Sequence, residues 1–278
     1  MTDIKSMKLY AHVERIYNEL AALGKSGDDP LSVDELCSLD QLHYHGTEAL
    51  DFALQALDAG QSEGEGGDWL EIGSGLGGPA RYLAARGGVR VTALELQPDQ
   101  HELATRLTAR CGLDTRVEHL GGDFLTAEWG ARKFDAIVSW LALYHIPDRQ
   151  RLLKKCHALL PPGGYFYTED LCAIGEIDAA QRAELERDLF AITLPDIATY
   201  RRDLQRAGFD ILICDDMSAD WAAFTRARLA AFRAERERHL RVHGTAVVDA
   251  LDDFYAAVDR QFGSGKLGGV RLGARRRT

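Results

Sequence analysis

The spacing of apolar positions changes along this chain. From residue 7 to 24 they recur at Leu9, Val13, Ile16, Leu20 and Leu23, three or four apart, which is the buried face of a helix. The loop "GKSGDDP" follows, and residues 46–60 read as a second helix. Residues 60–67, "GQSEGEGG", form a glycine-rich linker after which the pattern switches. Short apolar runs now alternate with longer amphipathic segments. "DWLEIG", "VRVTALEL", "TRVEHLGGD", "FDAIVSW", "YFYTEDLC" and "FDILICDD" read as strands, and "LGGVRLGARR" as a last one. Between them, "GPARYLAARG" stops at Gly87, and "PDQHELATRLTARCG" has Pro98 in its first turn and Gly112 as its stop. "PDRQRLLKKCHALLPPGG" ends in a proline–glycine turn. Residues 176–194 read as a charged helical excursion, "IATYRRDLQRAG" as a helix, and residues 218–262 as two further helices.

Alternation of this kind implies right-handed βαβ crossovers and a mainly parallel sheet, hence an α/β, Rossmann-like fold. The expected organisation is an N-terminal helical cap over residues 1–60 and a core over 61–216. A helical substrate lid over 217–262 and a returning strand in 263–278 complete it. Open α/β sheets bind ligands at the carboxyl ends of their strands, and the leftover helices are expected to cover that edge.

Composition narrows the partners. The 278 residues are 46% hydrophobic and 27% charged, with a formal net charge of −10. Nucleic-acid binding needs a basic surface, so that partner is not expected. A small cationic or zwitterionic molecule suits the charge better. The basic end "ARRRT" reads as a solvated tail. The five cysteines, Cys37, Cys111, Cys156, Cys172 and Cys214, form no C-x-x-C and read as reduced thiols, with no disulfide or metal site expected. No apolar run approaches the length of a membrane span, and "MTDIKSMKLYAHVERI" has no apolar signal region. A cytoplasmic monomer or homodimer without a membrane partner is the expectation.

The segment "WLEIGSGLGGPARYLA", Trp69 to Ala84, passes from strand to glycine turn to helix. It matches G-x-G-x-x-G through Gly73, Gly75 and Gly78, a weak sign of a dinucleotide pyrophosphate. Three carboxylates weigh against a diphosphate. Glu95 ends the second strand, where an acid binds a ribose diol in either kind of cofactor. Asp123, after the third strand and followed by Phe124, suits the amine and face of an adenine. Glu71, just before the glycines, suits an ammonium. A sulfonium amino acid fits a carboxylate-lined pocket better than a diphosphate does, so S-adenosylmethionine, with S-adenosylhomocysteine as product, is the expected cofactor. An NAD-dependent oxidoreductase and a non-catalytic binding subunit are the rivals.

These pieces resemble the class I S-adenosylmethionine-dependent methyltransferases over about residues 40–215. "LEIGSGLGGPAR", the acid of "ALEL", "GGDF", "FDAIVSWLALYHIPD" and "LLPPGGYFYTED" occur in order at ordinary spacing. Ser74 stands where the family's loop usually has cysteine. The "GSGLGGPAR" form is similar to a narrower set: sarcosine/dimethylglycine and phosphoethanolamine N-methyltransferases, tocopherol methyltransferases and sterol C-methyltransferases. The resemblance implies a seven-stranded sheet of order 3-2-1-4-5-7-6 with the last strand antiparallel. It also implies roles. Gly73, Ser74, Gly75 and Gly77 flank the methionyl part; Glu95 takes the ribose, with Leu96 against the adenine; Asp123 and Phe124 take the adenine; Ser139 and Trp140 lie beside the methionine moiety.

Methyl transfer from a sulfonium needs mainly proximity and alignment, plus a base where the acceptor starts protonated. His145, in "LALYHIPD", follows the fourth strand. The upstream "DQLHYHG" carries Gln41, His43, Tyr44 and His45 and resembles a segment that folds over the cofactor in the sarcosine/dimethylglycine enzymes. Tyr44 and His145 are therefore the expected gate or acid/base pair, with Gln41 on the cofactor. His43 and His45 as a metal pair are the less favoured alternative. Trp140, Tyr144, Tyr200 and Trp221 are expected to shape the acceptor site, and Trp221 and Phe224, joined by Tyr200 and Tyr255, could form with carboxylates an aromatic cage for a cation. The expected activity is methylation of a small molecule, foremost at an amine nitrogen, with oxygen, sulfur or carbon acceptors as the alternative.

Overall fold

The computed structural model describes residues 12–57 and 66–278. The beginning of the first predicted helix and most of the glycine-rich linker lie outside these residues. Before the sheet come α1 (Arg15–Ala22), α2 (Val33–Asp40) and α3 (Thr47–Ala56). The core runs β1 (Asp68–Ile72), α4 (Gly78–Gly87), β2 (Arg90–Glu95), α5 (Pro98–Arg110), β3 (Val117–Gly121), β4 (Ala136–Trp140), α6 (Arg149–Leu159) and β5 (Tyr165–Ala173). Then follow α7 (Ala179–Leu189), α8 (Ile197–Arg206), β6 (Phe209–Asp216), α9 (Ser218–Ala234), α10 (Arg236–His243), α11 (Thr245–Gly263) and β7 (Leu267–Arg276).

The seven strands form one sheet of order β3-β2-β1-β4-β5-β7-β6, as expected. β1 to β5 pair in parallel, and β7 lies antiparallel between β5 and β6. The order reverses between β1 and β4, so the crevice for a ligand opens beyond Ile72 and Trp140, where these two strands end. Apolar side chains cover both faces. Leu70, Ile137 and Phe166 pack on α6 and α8, while Trp69, Val91 and Val138 pack on α3 and α4.

Two elements depart from the sequence reading. Helix α2 was not foreseen, although Ser32 and Glu35 close a reciprocal capping box at its start. The segment after β6 holds three helices rather than two, because the chain breaks at Glu235 and again at Gly244. Helices α9 and α11 share a core with α7 around Trp221, Val258 and Phe262. Glu19 on α1 accepts hydrogen bonds from Arg238 Nη1 (3.0 Å) and His243 Nε2 (2.8 Å), tying α1 to α10. Among the described residues, no helix is long and apolar enough to cross a membrane.

Candidate active site

The chain leaves β1 through three glycines whose backbones are all left-handed, with φ of 75° at Gly73, 54° at Gly75 and 74° at Gly77. Such values cost little only for glycine. At Gly73 a Cβ would also run into Ala142, beyond β4, so the turn closes tightly on the neighbouring strand's loop. Gly77 N-caps α4 and Pro79 lies in its first turn, where a missing N–H is harmless.

This loop forms one wall of an open cavity of about 1070 Å3, its solvent-filled mouth included. Ten of the residues named from sequence line it: Glu71, Gly73, Ser74, Gly75, Glu95, Leu96, Asp123, Phe124, Trp140 and His145. Asp40, Leu42, His43, Gln100, Gly122, Ile146 and Pro147 join them and were not assigned to it. The first three arrive from the end of α2, the helix that went unseen, and Gln100 from the first turn of α5.

The polar groups of the cavity are carboxylates and neutral acceptors. The Glu95 carboxylate accepts from Gly75 N–H and Gln97 N–H, each at 2.8 Å, fixing the acid against the loop it serves. Burial pushes its pKa up, against these bonds. Glu71 is 1% exposed. Burial and then the Glu95 carboxylate drive its pKa well above the ordinary carboxylate value, with Arg81 pulling the other way. Glu71 Oε2, Ser74 Oγ and Gln100 Oε1 are buried along this wall without a hydrogen-bond partner. Unsatisfied acceptors of that kind call for a ligand rich in donors. Asp123 Oδ1 accepts from Leu125 N–H at 2.8 Å, which aims the loop after β3. The set suits an ammonium, a ribose and an adenine amine, and offers a diphosphate no cationic side chain. S-adenosylmethionine fits it; a dinucleotide does not.

His145 closes the far side. It belongs to a short 3-10 turn, Leu143–His145, and its Nδ1 lies 2.9 Å from the Phe190 carbonyl. A carbonyl only accepts, so Nδ1 carries the proton and Nε2 the lone pair. Burial lowers the His145 pKa to about 4, so the ring is neutral at physiological pH.

Several expected site residues lie elsewhere. Ser139 is fully buried and donates from Oγ to Ile72 O at 2.8 Å, a strut between β4 and β1 rather than a cofactor contact. Gly77 lies behind the loop, where its carbonyl accepts from Arg81 N–H. Tyr200 is sealed in the sheet's core; its hydroxyl donates to Asp170 Oδ2 at 3.1 Å, and Arg149 stacks 3.5 Å from its ring centroid. Trp221 is also sealed, wedged over Gly269 of β7, where any Cβ would collide with the indole. Tyr200 and Trp221 therefore line neither of the two cavities at this edge. His43 Nε2 is bound to Gly46 O at 2.9 Å, and His45 Nε2 meets Asp220 Oδ2 at 2.6 Å, so the two histidines face separate partners rather than one metal.

Gln41, Tyr44 and Tyr144 line a second cavity next to the first, sharing Leu42 and Leu141 with it. Tyr44 and His145 therefore line different cavities. Leu141 holds φ at 52°, an uncommon value for a bulky residue, and such strain clusters at functional sites. Apolar residues of α11, with Leu189 at the end of α7 and Val13, Leu76 and Leu171, wall much of the second cavity, and its charged lining residues are Arg15 and Arg228. The expected aromatic cage is not formed as such: Tyr200 and Trp221 belong to the core, while Phe224 and Tyr255 stand with Tyr44 around Arg228 of the chain itself.

Comparison with known proteins agrees with this geometry. A family model described as a methyltransferase domain matches residues 42–213, more than half of the chain. The chain is similar to the methyltransferase GfsG of Streptomyces halstedii, 28% identical over 198 residues that span 70% of each chain. It is 30% identical over 151 residues to a sarcosine/dimethylglycine N-methyltransferase of Halorhodospira halochloris, about half the length of each. Its fold matches a Haemonchus contortus phosphoethanolamine N-methyltransferase crystallised with phosphomonomethylethanolamine and S-adenosylhomocysteine. There the TM-score is 0.80 at 16% identity, over all of this chain and 61% of that one. The glycine turn, the ordered acids and the family match together make the chain a member of the methyltransferase-domain family, an S-adenosylmethionine-dependent methyltransferase.

Proposed function

We propose that the enzyme methylates an amine nitrogen of a small cytoplasmic acceptor, which lies in the second cavity and reaches the first between Leu42 and Leu141. The observation that carries this reading is the junction of the two cavities at those residues, with His145 on the cofactor side. Bound in the first cavity, S-adenosylmethionine supplies a methyl group on a positive sulfur, already activated for displacement. Glu71 holds the ammonium, Glu95 the ribose hydroxyls, and Asp123 with Phe124 the adenine. His145 Nε2 takes the proton of an acceptor that arrives as an ammonium, and Phe190 O steadies the ring as it does so. The apolar walls of the second cavity keep water from competing. Helices α2, α9 and α11 act as the cap and lid over the sheet edge. The sarcosine/dimethylglycine relative supports nitrogen as the acceptor atom, and the net charge of −10 argues against a nucleic-acid acceptor.

Incubation with methyl-labelled S-adenosylmethionine and a panel of primary and secondary amines, phenols and thiols tests this. Label on an amine is the expected outcome; label confined to phenols or thiols overturns the nitrogen assignment.

A further inference from the structure

We propose that the second cavity recognises its acceptor through an anionic oxygen group, a carboxylate or a phosphate, on an apolar body, and that Arg228 receives it. This goes further than the reading of that cavity as the acceptor side, and rests on it. Arg228 projects from α9, with its guanidinium carbon 4.7 Å from the ring centroid of Tyr255 and 5.2 Å from that of Tyr44. Aromatic faces hold an arginine by its plane and leave its N–H edge directed outward, the geometry that pairs with carboxylate and phosphate.

That edge is not used among the described residues. Among the described residues Arg228 makes no ion pair or hydrogen bond, and its Nε is shut off from solvent without a partner. Its neighbours differ: Arg226 faces Asp259, Arg233 binds Asp252 and Arg236 binds Asp249. Acids are plentiful on α11, yet none of them lines the cavity. Arg15 lines it as well and adds a second positive charge. A half-buried cation among apolar walls is costly without an acceptor and selects a ligand that brings one. A simple cation would be repelled there. The caged arginine thus reverses the expectation of a cation-binding aromatic box.

Calorimetry on the enzyme saturated with S-adenosylhomocysteine tests this with four probes: 3-phenylpropanoate, 2-phenylethyl phosphate, 3-phenylpropanamide and 2-phenylethylammonium. At least one anion should bind about tenfold or more tighter than the amide and the ammonium, as a charge-assisted contact allows. Which of the two anions binds tighter tells carboxylate from phosphate. Arg228→Gln should erase the margin, Arg228→Lys should keep part of it, and both variants should hold S-adenosylhomocysteine as the parent does. Equal or tighter binding of the amide or ammonium, or a margin that survives Arg228→Gln, overturns the assignment. A parent enzyme that fails to bind S-adenosylhomocysteine contradicts the cofactor reading instead.

Discussion

Arg81 Nη2 donates to Asp40 Oδ2 at 2.8 Å and to the Leu76 carbonyl at 2.6 Å, and both side chains are buried. The same guanidinium donates through Nη1 to Thr108 Oγ1 at 2.9 Å and to Ala104 O. One residue of the "GPAR" tail thus ties the glycine turn, the end of α2 and the helix after β2 together. Burial raises the Asp40 carboxyl pKa, and the adjacent guanidinium opposes that rise. Removing one partner strands the other charge in the interior. Arg81→Met should therefore cost about 3–5 kcal/mol of stability and weaken S-adenosylhomocysteine by loosening the turn. Urea unfolding with parallel calorimetry checks both; a variant with parental stability contradicts this role.

Asp123 and Glu95 face the first cavity from the ends of neighbouring strands. Hydrogen bonds to charged groups are worth about 1.5–3 kcal/mol each, so Asp123→Ala should weaken S-adenosylhomocysteine roughly tenfold to a hundredfold. Glu95→Ala should do at least as much, because it also frees Gly75 N–H. Titration calorimetry reads both, and unchanged affinity in Asp123→Ala removes that residue from the site.

Burial, and then the Glu95 carboxylate, push the Glu71 carboxyl pKa well above the ordinary carboxylate range. An ammonium placed beside it lowers its pKa, so binding releases a proton and affinity rises with pH through the free-state value. Heats of S-adenosylhomocysteine binding should then depend on the buffer's ionisation enthalpy, and Glu71→Gln should remove that dependence. Buffer-independent heats in the parent enzyme contradict the pairing.

His145 has its pKa depressed to about 4, so it is in its base form throughout the neutral range. With S-adenosylmethionine saturating, the pH profile of kcat/KM for the acceptor should show no limb from His145 between 6 and 8, that residue's limb lying near 4. General-base assistance is typically worth about 10²–10⁴-fold, so His145→Ala should lower kcat by about a hundredfold or more. Its S-adenosylhomocysteine affinity should stay near parental. Full activity in His145→Ala makes the residue structural.

The sequence carried the sheet and the cofactor edge because both are periodic or backbone-dictated. Most strands are short apolar runs bounded by turn residues, and glycine marks the turns at Gly73, Gly75 and Gly77, where φ is positive. The acids at positions 71, 95 and 123 sit at or beside strand ends, which the alternation locates. Long-range packing was less visible. Tyr200 and Trp221 look like cage residues in sequence because an aromatic on an amphipathic helix is equally suited to core or ligand; only the tertiary contacts with Asp170 and Gly269 decide for the core. Ser139 shares the strand end with Trp140, yet the pleat turns its hydroxyl to Ile72 O instead of the cavity. Helix α2 is eight residues long, too short for apolar period to reveal it, although Ser32-x-x-Glu35 was a usable start signal. Arg228 is one of several arginines on α9, and nothing in its sequence neighbourhood separates it from the paired ones.

The most direct test of the cofactor assignment is titration calorimetry of the enzyme with S-adenosylhomocysteine, S-adenosylmethionine and NAD side by side. Saturable binding of the first two, with no heat from NAD, is the predicted result. Binding of NAD alone would contradict the assignment of the glycine turn and its three acids.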